Sequence, residues 1–191
     1  MRIGILALQG AFSEHLTMLH CLGADVSEIR LPSDLNNIDG LVIPGGESTT
    51  IIRLMSEYGL SEPIINMARQ GLPIFGTCAG LIILAQKDGS FPFEPLGLLE
   101  VHVQRNAYGR QKDSFETNLL IPALGPGSFP GIFIRAPVID EVNPNVTILC
   151  QLNDTNPVAV RQGKILACSF HPELTDDPRL HAYFLQIVRQ K

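Results

Sequence analysis

The sequence lacks the features of a membrane protein and those of a nucleic-acid-binding protein. No apolar run approaches the roughly 20 residues that a membrane-spanning helix needs. There is no basic cluster either, and 14 Lys and Arg against 19 Asp and Glu give a formal net charge of −5. The apolar start of the chain reaches Gln9 and Glu14 without the small-residue cleavage site of a secretory signal. We therefore expect neither nucleic acid nor a membrane as a partner.

Cysteine is scarce, and its spacing argues against two classes of protein. The cysteines are Cys21, Cys78, Cys150 and Cys168. They form neither a CxxC pair nor the spacing of a zinc site, so we expect no disulfide framework and no metal. Reduced thiols in a cytoplasmic protein are the expected state. Two glycosylation sequons, at Asn145 and Asn153, are then chance matches.

The first half of the chain alternates between two kinds of pattern. Nearly continuous apolar runs are typical of strands buried on both faces of a sheet, and apolar residues three or four apart indicate helices. Ser48 and Ser61 open two of these helices, as N-cap residues do. The predicted strands cover 2–8, 24–31, 40–46 and 73–77, and the predicted helices cover 12–23, 48–59, 61–71 and 79–86. This alternation predicts βαβ crossovers and a parallel sheet.

The second half has a different pattern, with short alternating strands separated by turn residues. We predict strands within 97–105, 131–137, 146–152, 157–162 and 164–170, followed by a C-terminal helix at 178–190. No linker, repeat or low-complexity segment divides the sequence. The expected fold is therefore a single α/β domain over residues 1–191. It has a mostly parallel central sheet with helices on both faces, and an antiparallel extension in the second half.

The motif GTCAG places Cys78 between Gly76 and Gly80, where a predicted strand becomes a predicted helix. Gly-x-nucleophile-x-Gly is the form of a nucleophile elbow, in which the glycines relieve the crowding of a strained turn. Such an elbow lifts the side chain above the carboxyl edge of the sheet, where open α/β folds bind ligands. It also places the sulfur at a helix N-terminus, which favours the thiolate. The alternative is a buried core cysteine, an ordinary state for an intracellular thiol.

The segment CSFHPE offers a base for this thiol. His171 follows the last predicted strand, and Glu173 lies two residues further on. Pro172 restricts the backbone between them, so the carboxylate can orient the imidazole as in a hydrolase triad. Otherwise, both are residues of a surface turn. The remaining histidines have no such context, and His15 and His20 fit the face of a helix.

The motif VIPGGEST forms a loop after a predicted strand. Gly40 and Gly45 flank four residues as in a phosphate loop, but the required lysine is absent, so we expect no nucleotide. We expect no cofactor. Consecutive glycines let backbone amides face an anion. The amides of Gly46 and of Ala79, the residue after the nucleophile, are therefore candidate oxyanion donors. Taken alone, Pro-Gly-Gly is more often a simple turn.

These three motifs occur in the order found in the triad, or class I, glutamine amidotransferases, which the chain resembles. It is similar in particular to the glutaminase subunits of pyridoxal 5′-phosphate synthase complexes, from residue 3 to the terminal helix. The matching segments are GILALQGAFSEH, PGGEST, GTCAG, VQRNAYGRQ, FIRAP and SFHPE. The resemblance implies hydrolysis of L-glutamine to glutamate and ammonia. It also implies a partner, a synthase subunit that uses the ammonia to build pyridoxal phosphate from a pentose phosphate and a triose phosphate.

The resemblance also assigns roles to residues. It makes Cys78 the nucleophile, His171 the base and then the acid, and Glu173 the group that orients the imidazole. Six residues would border the glutamine: Gly46, Glu47, Ser48, Arg105, Ile134 and Arg135. Either arginine can hold the substrate carboxylate through two hydrogen bonds, and otherwise both are surface arginines. Gln9 is expected near the oxyanion region, at the surface that faces the synthase.

Three other functions remain open at this point. A triad glutaminase of another synthase, such as imidazole glycerol phosphate synthase, has the same chemistry, although LALQGAFSEH and PGGEST argue against it. A cysteine peptidase or a chaperone-like relative has the same fold, and an assay of free glutamine against peptides distinguishes it. A non-enzymatic regulatory module is disfavoured because Cys78, His171 and Glu173 are all present.

Overall fold

The structure is a computed structural model that describes residues 1–87, 89, 91–105, 114–153 and 155–190. In the first half of the chain, strands and helices alternate as predicted, each slightly shorter than its sequence pattern. They are β1 (Arg2–Leu6), α1 (Phe12–Cys21), β2 (Asp25–Ile29), β3 (Gly40–Ile43), α2 (Ser48–Glu57), α3 (Ser61–Arg69), β4 (Ile74–Thr77) and α4 (Ala79–Leu84).

The second half is mostly strand, as predicted. Its elements are β5 (Val101–Gln104), β6 (Ser114–Leu119), β7 (Phe129–Ile134), β8 (Val138–Val142), β9 (Thr147–Leu152), β10 (Asn156–Gln162), β11 (Ile165–Cys168) and α5 (Arg179–Arg189). Neither β6 nor β8 was predicted. Both carry polar or acidic residues in mid-strand, in the segments SFETNL and VIDEV, and so lack the apolar signal of the other strands.

The central sheet has seven strands in the order β2-β1-β3-β4-β11-β10-β9. The first five of these run parallel, and β10 and β9 are added antiparallel. Two separate antiparallel ribbons pair β5 with β8 and β6 with β7. The predicted parallel sheet with an antiparallel extension is thus confirmed. One placement is new: β11 comes from the second half of the chain, yet it lies inside the sheet and parallel to β4.

Helices cover both faces of the sheet, as predicted. Successive residues of a strand point to opposite faces, and β3 shows this directly. Leu41 and Ile43 belong to the core formed with α2, α3 and α4, while Val42 belongs to the core formed with α1 and α5. In the described part of the chain, no helix has both the length and the apolar composition that crossing a bilayer requires.

The helix starts differ from the prediction, because neither Ser48 nor Ser61 is an N-cap. Glu47 caps α2, and its carboxylate accepts hydrogen bonds from two backbone N–H groups of the first turn at 3.3 and 2.7 Å. Leu60 precedes α3 and makes no side-chain cap. The serine prediction is wrong at α2 because the extended backbone of Glu47 brings its longer side chain over the helix end. Ser48 is then buried inside the first turn.

The strand order brings three loops to one edge of the sheet. Thr77 at the end of β4 is in register with Cys168 at the end of β11, and β3 pairs with β4 on the other side. The carboxyl ends of parallel strands meet at the same edge. The Pro-Gly-Gly loop after β3, the turn at Cys78 and the turn at His171 are therefore neighbours in space.

Candidate active site

Cys78 occupies a tight turn between β4 and α4. Its backbone has φ of +49° and ψ of −102°, a conformation that residues with a Cβ rarely adopt and that functional sites often retain. Its N–H donates to the carbonyl oxygen of Cys168 at 2.9 Å, which ties the turn to β11. A Cβ on Gly76 would lie 2.8 Å from the backbone of Gly80, and one on Gly80 would overlap the carbonyl oxygen of Ile43. Only glycine fits at both positions, as the predicted elbow requires.

His171 and Glu173 form a buried pair beside this thiol. His171 Nδ1 lies 2.7 Å from Glu173 Oε1, and the Glu173 side chain is fully buried. The N–H of His171 donates to the carbonyl oxygen of Ile132 at 2.8 Å, so the ribbon of β6 and β7 fixes the backbone of the turn. Cys78 lies close enough to this imidazole to act on its pKa. The structure thus brings the three predicted side chains together, and the surface-turn interpretation is wrong.

The ionisation of His171 reflects these neighbours. Burial is the largest influence and lowers its pKa. Hydrogen bonds of the ring with Cys78 and Glu173, and the charges of both groups, outweigh burial and raise the pKa to about 10. The favoured form of the ring is therefore an imidazolium, held between the sulfur and the carboxylate. In that form it can give a proton to a departing group.

The Pro-Gly-Gly loop after β3 is held on two sides. The N–H of Gly45 donates to Thr77 Oγ1 at 3.1 Å, and its carbonyl oxygen accepts the N–H of Ala11 at 3.1 Å. Because a trans peptide is planar, the N–H of Gly46 points away from that carbonyl and from the loop after β1. Gly46 and Ala79, the two candidate oxyanion donors, line the same cavity beside the thiol.

This cavity is small and polar. Its volume is about 100 Å³, well below the roughly 300–1,000 Å³ of usual ligand pockets, which favours a small molecule over a peptide. Ile134 adjoins it, since its carbonyl oxygen lies 3.9 Å from Cys78 Sγ. A depression of about 800 Å³ beside β6 and β7 has no cysteine or histidine in its lining. The described residues that line the small cavity are Gly46, Glu47, Ser48, Cys78, Ala79, Ile82, Arg105 and Arg135, and among these only Ile82 was not predicted.

The two arginines reach the cavity from different elements. Arg105 Nη2 lies 3.0 Å from Glu47 Oε1, and its Nη1 donates to Thr49 Oγ1 at 3.2 Å. Partial burial raises the pKa of Glu47, but hydrogen bonds from the first turn of α2 outweigh it and keep that pKa below its ordinary value. Arg135 follows β7 with a backbone φ of +43°. The rest of the motif VQRNAYGRQ, residues 106–111, lies outside the described residues.

Gln9 connects two loops at this edge of the sheet. Its Oε1 accepts the N–H of Glu47 at 2.7 Å. A Cβ on Gly46 would lie 2.5 Å from the same oxygen, so the loop after β1 packs directly on the loop after β3. Gln9 therefore lies at the candidate oxyanion region, as the sequence predicts.

Known proteins resemble this chain over nearly its whole length. Residues 5–190 match the model of the SNO glutamine amidotransferase family. The chain belongs to this family. The pyridoxal 5′-phosphate synthase subunit PdxT of Thermotoga petrophila is 51% identical over 189 residues, which are 99% of this chain and 100% of the relative. The subunit of the same name from Herpetosiphon aurantiacus is 53% identical over 188 residues, covering 97% of this chain and 99% of the relative.

Solved structures share the fold of this SNO family member. A crystal structure of a glutamine amidotransferase matches with a TM-score of 0.92 at 50% identity, and the match covers 98% of each chain. The structure of PurLQS from Thermotoga maritima matches with a TM-score of 0.70 at 16% identity, covers 97% of each chain and supports the fold alone. The predicted class I amidotransferase-like fold is thus confirmed.

Three buried residues that no sequence motif indicates lie behind the site of this family member: His15, Thr77 and His181. His15 Nε2 lies 3.1 Å from Thr77 Oγ1 and 3.4 Å from Glu173 Oε2, and His15 Nδ1 lies 2.9 Å from His181 Nε2. The sequence places His15 on a helix face, and the structure shows that this face is buried. Leu19, four residues later, shares that face, and this spacing is the signal that could have found it.

Proposed function

We propose that this chain hydrolyses L-glutamine to L-glutamate and ammonia. The observation that carries the proposal is the contact of the Cys78 thiol with the buried His171–Glu173 pair, at a cavity that presents backbone amides and two arginines. A nucleophile, an oriented base and an oxyanion site are together what acyl transfer requires. Family membership and the small cavity favour free glutamine over a peptide as the acyl donor.

In the proposed mechanism, the Cys78 sulfur attacks the side-chain amide carbon of glutamine, and an electron pair moves to the amide oxygen. The N–H groups of Gly46 and Ala79 stabilise this oxyanion, and one such donor typically contributes a factor of about 10² to 10³ in turnover. When the C–N bond breaks, the His171 imidazolium gives its proton to the departing ammonia. His171 then takes a proton from the water that attacks the thioester carbon, and the C–S bond breaks to release glutamate and the Cys78 thiolate.

The substrate end of the proposed site carries both signs of charge. Free glutamine has an ammonium and a carboxylate on its α-carbon. Glu47 supplies a carboxylate, and Arg105 and Arg135 supply guanidinium groups, at the same cavity. A guanidinium can hold the substrate carboxylate through two parallel hydrogen bonds. Ser48 and Ile134 border the same space.

We further propose that the ammonia passes to the synthase subunit of a pyridoxal 5′-phosphate synthase. Relatives about half identical over nearly their whole length carry the name of a subunit of that synthase, which favours it over imidazole glycerol phosphate synthase. In this proposal the chain acts as one glutaminase domain, and the loop at Gln9 faces the synthase. A cytoplasmic location suits a nucleophilic thiol that must stay reduced, and all four cysteines are free.

A glutaminase assay with and without the synthase subunit tests the proposal. Cys78→Ser and Cys78→Ala should abolish glutamate formation and leave the unfolding midpoint in place, whereas Cys21→Ser, at an exposed thiol, should keep full activity. A glutamine-like electrophile should label Cys78 before the other cysteines, as mass spectrometry can show. Near-normal turnover in either Cys78 variant would place the nucleophile elsewhere. Faster cleavage of peptides than of glutamine would support the peptidase alternative.

A further inference from the structure

One oxygen of the Glu173 carboxylate is not explained by the proposed mechanism. Oε1 holds His171 at 2.7 Å. Oε2 is buried, and among the described residues it has no hydrogen-bond partner. His15 Nε2 lies 3.4 Å from it, longer than an ordinary hydrogen bond but close enough for a strong electrostatic contact in a buried site. The state of the His15 ring therefore decides how well this carboxylate is held.

Burial favours the neutral form of both histidines behind the site. Burial lowers the pKa of His15 well below its ordinary value, and the rings of His181 and His171 act in the same direction. Burial also lowers the pKa of His181 to about 4. A neutral imidazole has one N–H and one lone pair. Each ring therefore carries its single proton on either Nδ1 or Nε2.

The surroundings of the two rings select one arrangement. With its proton on Nδ1, His15 would turn a lone pair towards the negative Glu173 Oε2, and His181 would keep a buried Nδ1–H without an acceptor. With its proton on Nε2, His15 turns an N–H towards Glu173 Oε2 and Thr77 Oγ1. His181 then donates its Nε2–H to His15 Nδ1 at 2.9 Å. The second arrangement replaces a repulsion by an attraction and leaves no buried ring N–H unpaired. It forgoes the hydrogen bond that the Thr77 hydroxyl could donate to His15 Nε2 in the first arrangement, but the repulsion of a buried charge outweighs one neutral hydrogen bond.

We propose that His15 is a positioning residue of the glutaminase site, an inference that rests on the proposed function. As the Nε2–H tautomer it directs a dipole at Glu173 Oε2 and so steadies the carboxylate that orients His171. The same N–H contacts Thr77 Oγ1 at 3.1 Å, and that oxygen accepts the Gly45 N–H at 3.1 Å. His15 thus connects the orienting carboxylate with the Pro-Gly-Gly loop, although it does not line the substrate cavity.

Two substitutions of similar length test this role. His15→Gln can place an amide N–H near the position of Nε2–H, and His15→Met cannot donate. In the complex with the synthase subunit, we expect His15→Met to lower kcat about tenfold, as other outer-shell hydrogen bonds do, with KM unchanged. His15→Gln should recover most of the loss. His20→Gln, the same change on the exposed face of α1, is the control and should behave like the unsubstituted chain.

Nitrogen-15 NMR of the imidazole rings tests the tautomer without relying on glutamine hydrolysis. At about pH 7 we expect the His15 ring to carry its proton on Nε2, with the signal assigned by its loss in His15→Gln. A proton on Nδ1, a normal kcat in His15→Met, or equal losses of kcat in the Gln and Met variants would each overturn the proposal. Should His15→Met fail to fold, the NMR result and His15→Gln decide. An inactive unsubstituted complex would instead contradict the proposed function, and the tautomer measurement separates the two failures.

Discussion

Gly45 has no side chain because two residues of the candidate site occupy the space where one would lie. A Cβ there would be 2.5 Å from His171 Cε1 and 3.3 Å from Cys78 Cβ. Neither contact is tolerable without movement of the imidazole or of the elbow. The absence of a side chain at position 45 therefore lets His171 and Cys78 lie close together, whatever the role of the glycine's own amide.

Gly45→Ala should accordingly lower kcat strongly and have a much smaller effect on the free energy of unfolding. A displacement of about 1 Å at a reacting group costs about 100-fold in rate. Gly40→Ala is a matched control, because its Cβ would meet the side-chain ends of Val188 and Phe184 at 2.9 and 3.2 Å, away from the site. It should reduce the free energy of unfolding in urea and leave kcat largely intact. A Gly45→Ala variant with normal kcat would contradict the close packing of His171.

Substitutions at His171 and Glu173 can distinguish what each residue contributes to turnover. His171→Asn should lower kcat by about 10² to 10⁴, the usual contribution of a positioned acid–base group. Glu173→Gln should cost less, because an imidazole without its orienting carboxylate still samples the productive tautomer. Steady-state kinetics on both variants give the comparison. An unaffected kcat in Glu173→Gln would mean that Cys78 and His171 act as a dyad, without help from the carboxylate.

The first turn of α2 links the stability of a helix to the substrate cavity, because Glu47 both caps it and pairs with Arg105. Glu47→Gln should lower the free energy of unfolding by up to about 1 kcal/mol through the weaker cap, and it should raise KM for glutamine. Since hydrogen bonds keep the pKa of Glu47 low in the folded chain, the carboxylate contributes stability at neutral pH. That contribution, and the difference between the two proteins, should disappear as the pH falls through this pKa.

Glu57, the last residue of the same helix, supplies the control for this prediction. A negative charge at a helix C-terminus opposes the helix dipole, so Glu57→Gln should not lower stability and should leave KM unchanged. Urea unfolding at about pH 7 and under acidic conditions, with kinetics at neutral pH, measures both effects. Equal destabilisation by the two substitutions would mean that the cap of Glu47 contributes nothing specific.

The sequence predicts those elements whose burial produces a recognisable local pattern of apolar residues or glycines. The strands β1, β3 and β4 are covered on both faces and read as continuous apolar runs, and Gly76 and Gly80 mark the elbow because no other residue fits there. The ribbon strands β6 and β8 are half exposed and polar, so they leave no such pattern. His15 was not recognised because one polar residue on an apolar helix face gives no hint of a partner more than 150 residues away. Its contact with Glu173 depends on strand order, which local sequence does not encode.

The molecule as a whole bears on how activity is controlled. We expect the isolated chain to hydrolyse glutamine slowly and the synthase subunit to raise turnover. The carbonyl of Gly45 is held by the N–H of Ala11, and Gln9 holds the N–H of Glu47. A partner that binds the loop after β1 therefore acts on the peptide that carries the Gly46 amide. One oxyanion donor worth about 3 kcal/mol corresponds to about a 100-fold change in rate.

Turnover at saturating glutamine, with and without the synthase subunit, measures this effect. Gln9→Ala should reduce the stimulation, while a change at the exposed residue His20 should not. Equal turnover in both conditions would contradict control through this loop but would not contradict the candidate triad.

Because β11 lies between β4 and β10, the candidate site can form only late in the synthesis of the chain. A ribosome delivers β1 to β4 and the turn at Cys78 long before β11 emerges, and His171 and Glu173 follow β11 directly. Until then the thiol lacks its proposed base, and the edge of β4 that faces β11 has no strand to pair with, which favours aggregation. We therefore expect a chain interrupted before residue 171 to leave glutamine unchanged and to be bound by the chaperones and proteases that act on exposed strand edges. In such a chain the strand edge is exposed before the residues proposed to release ammonia are present.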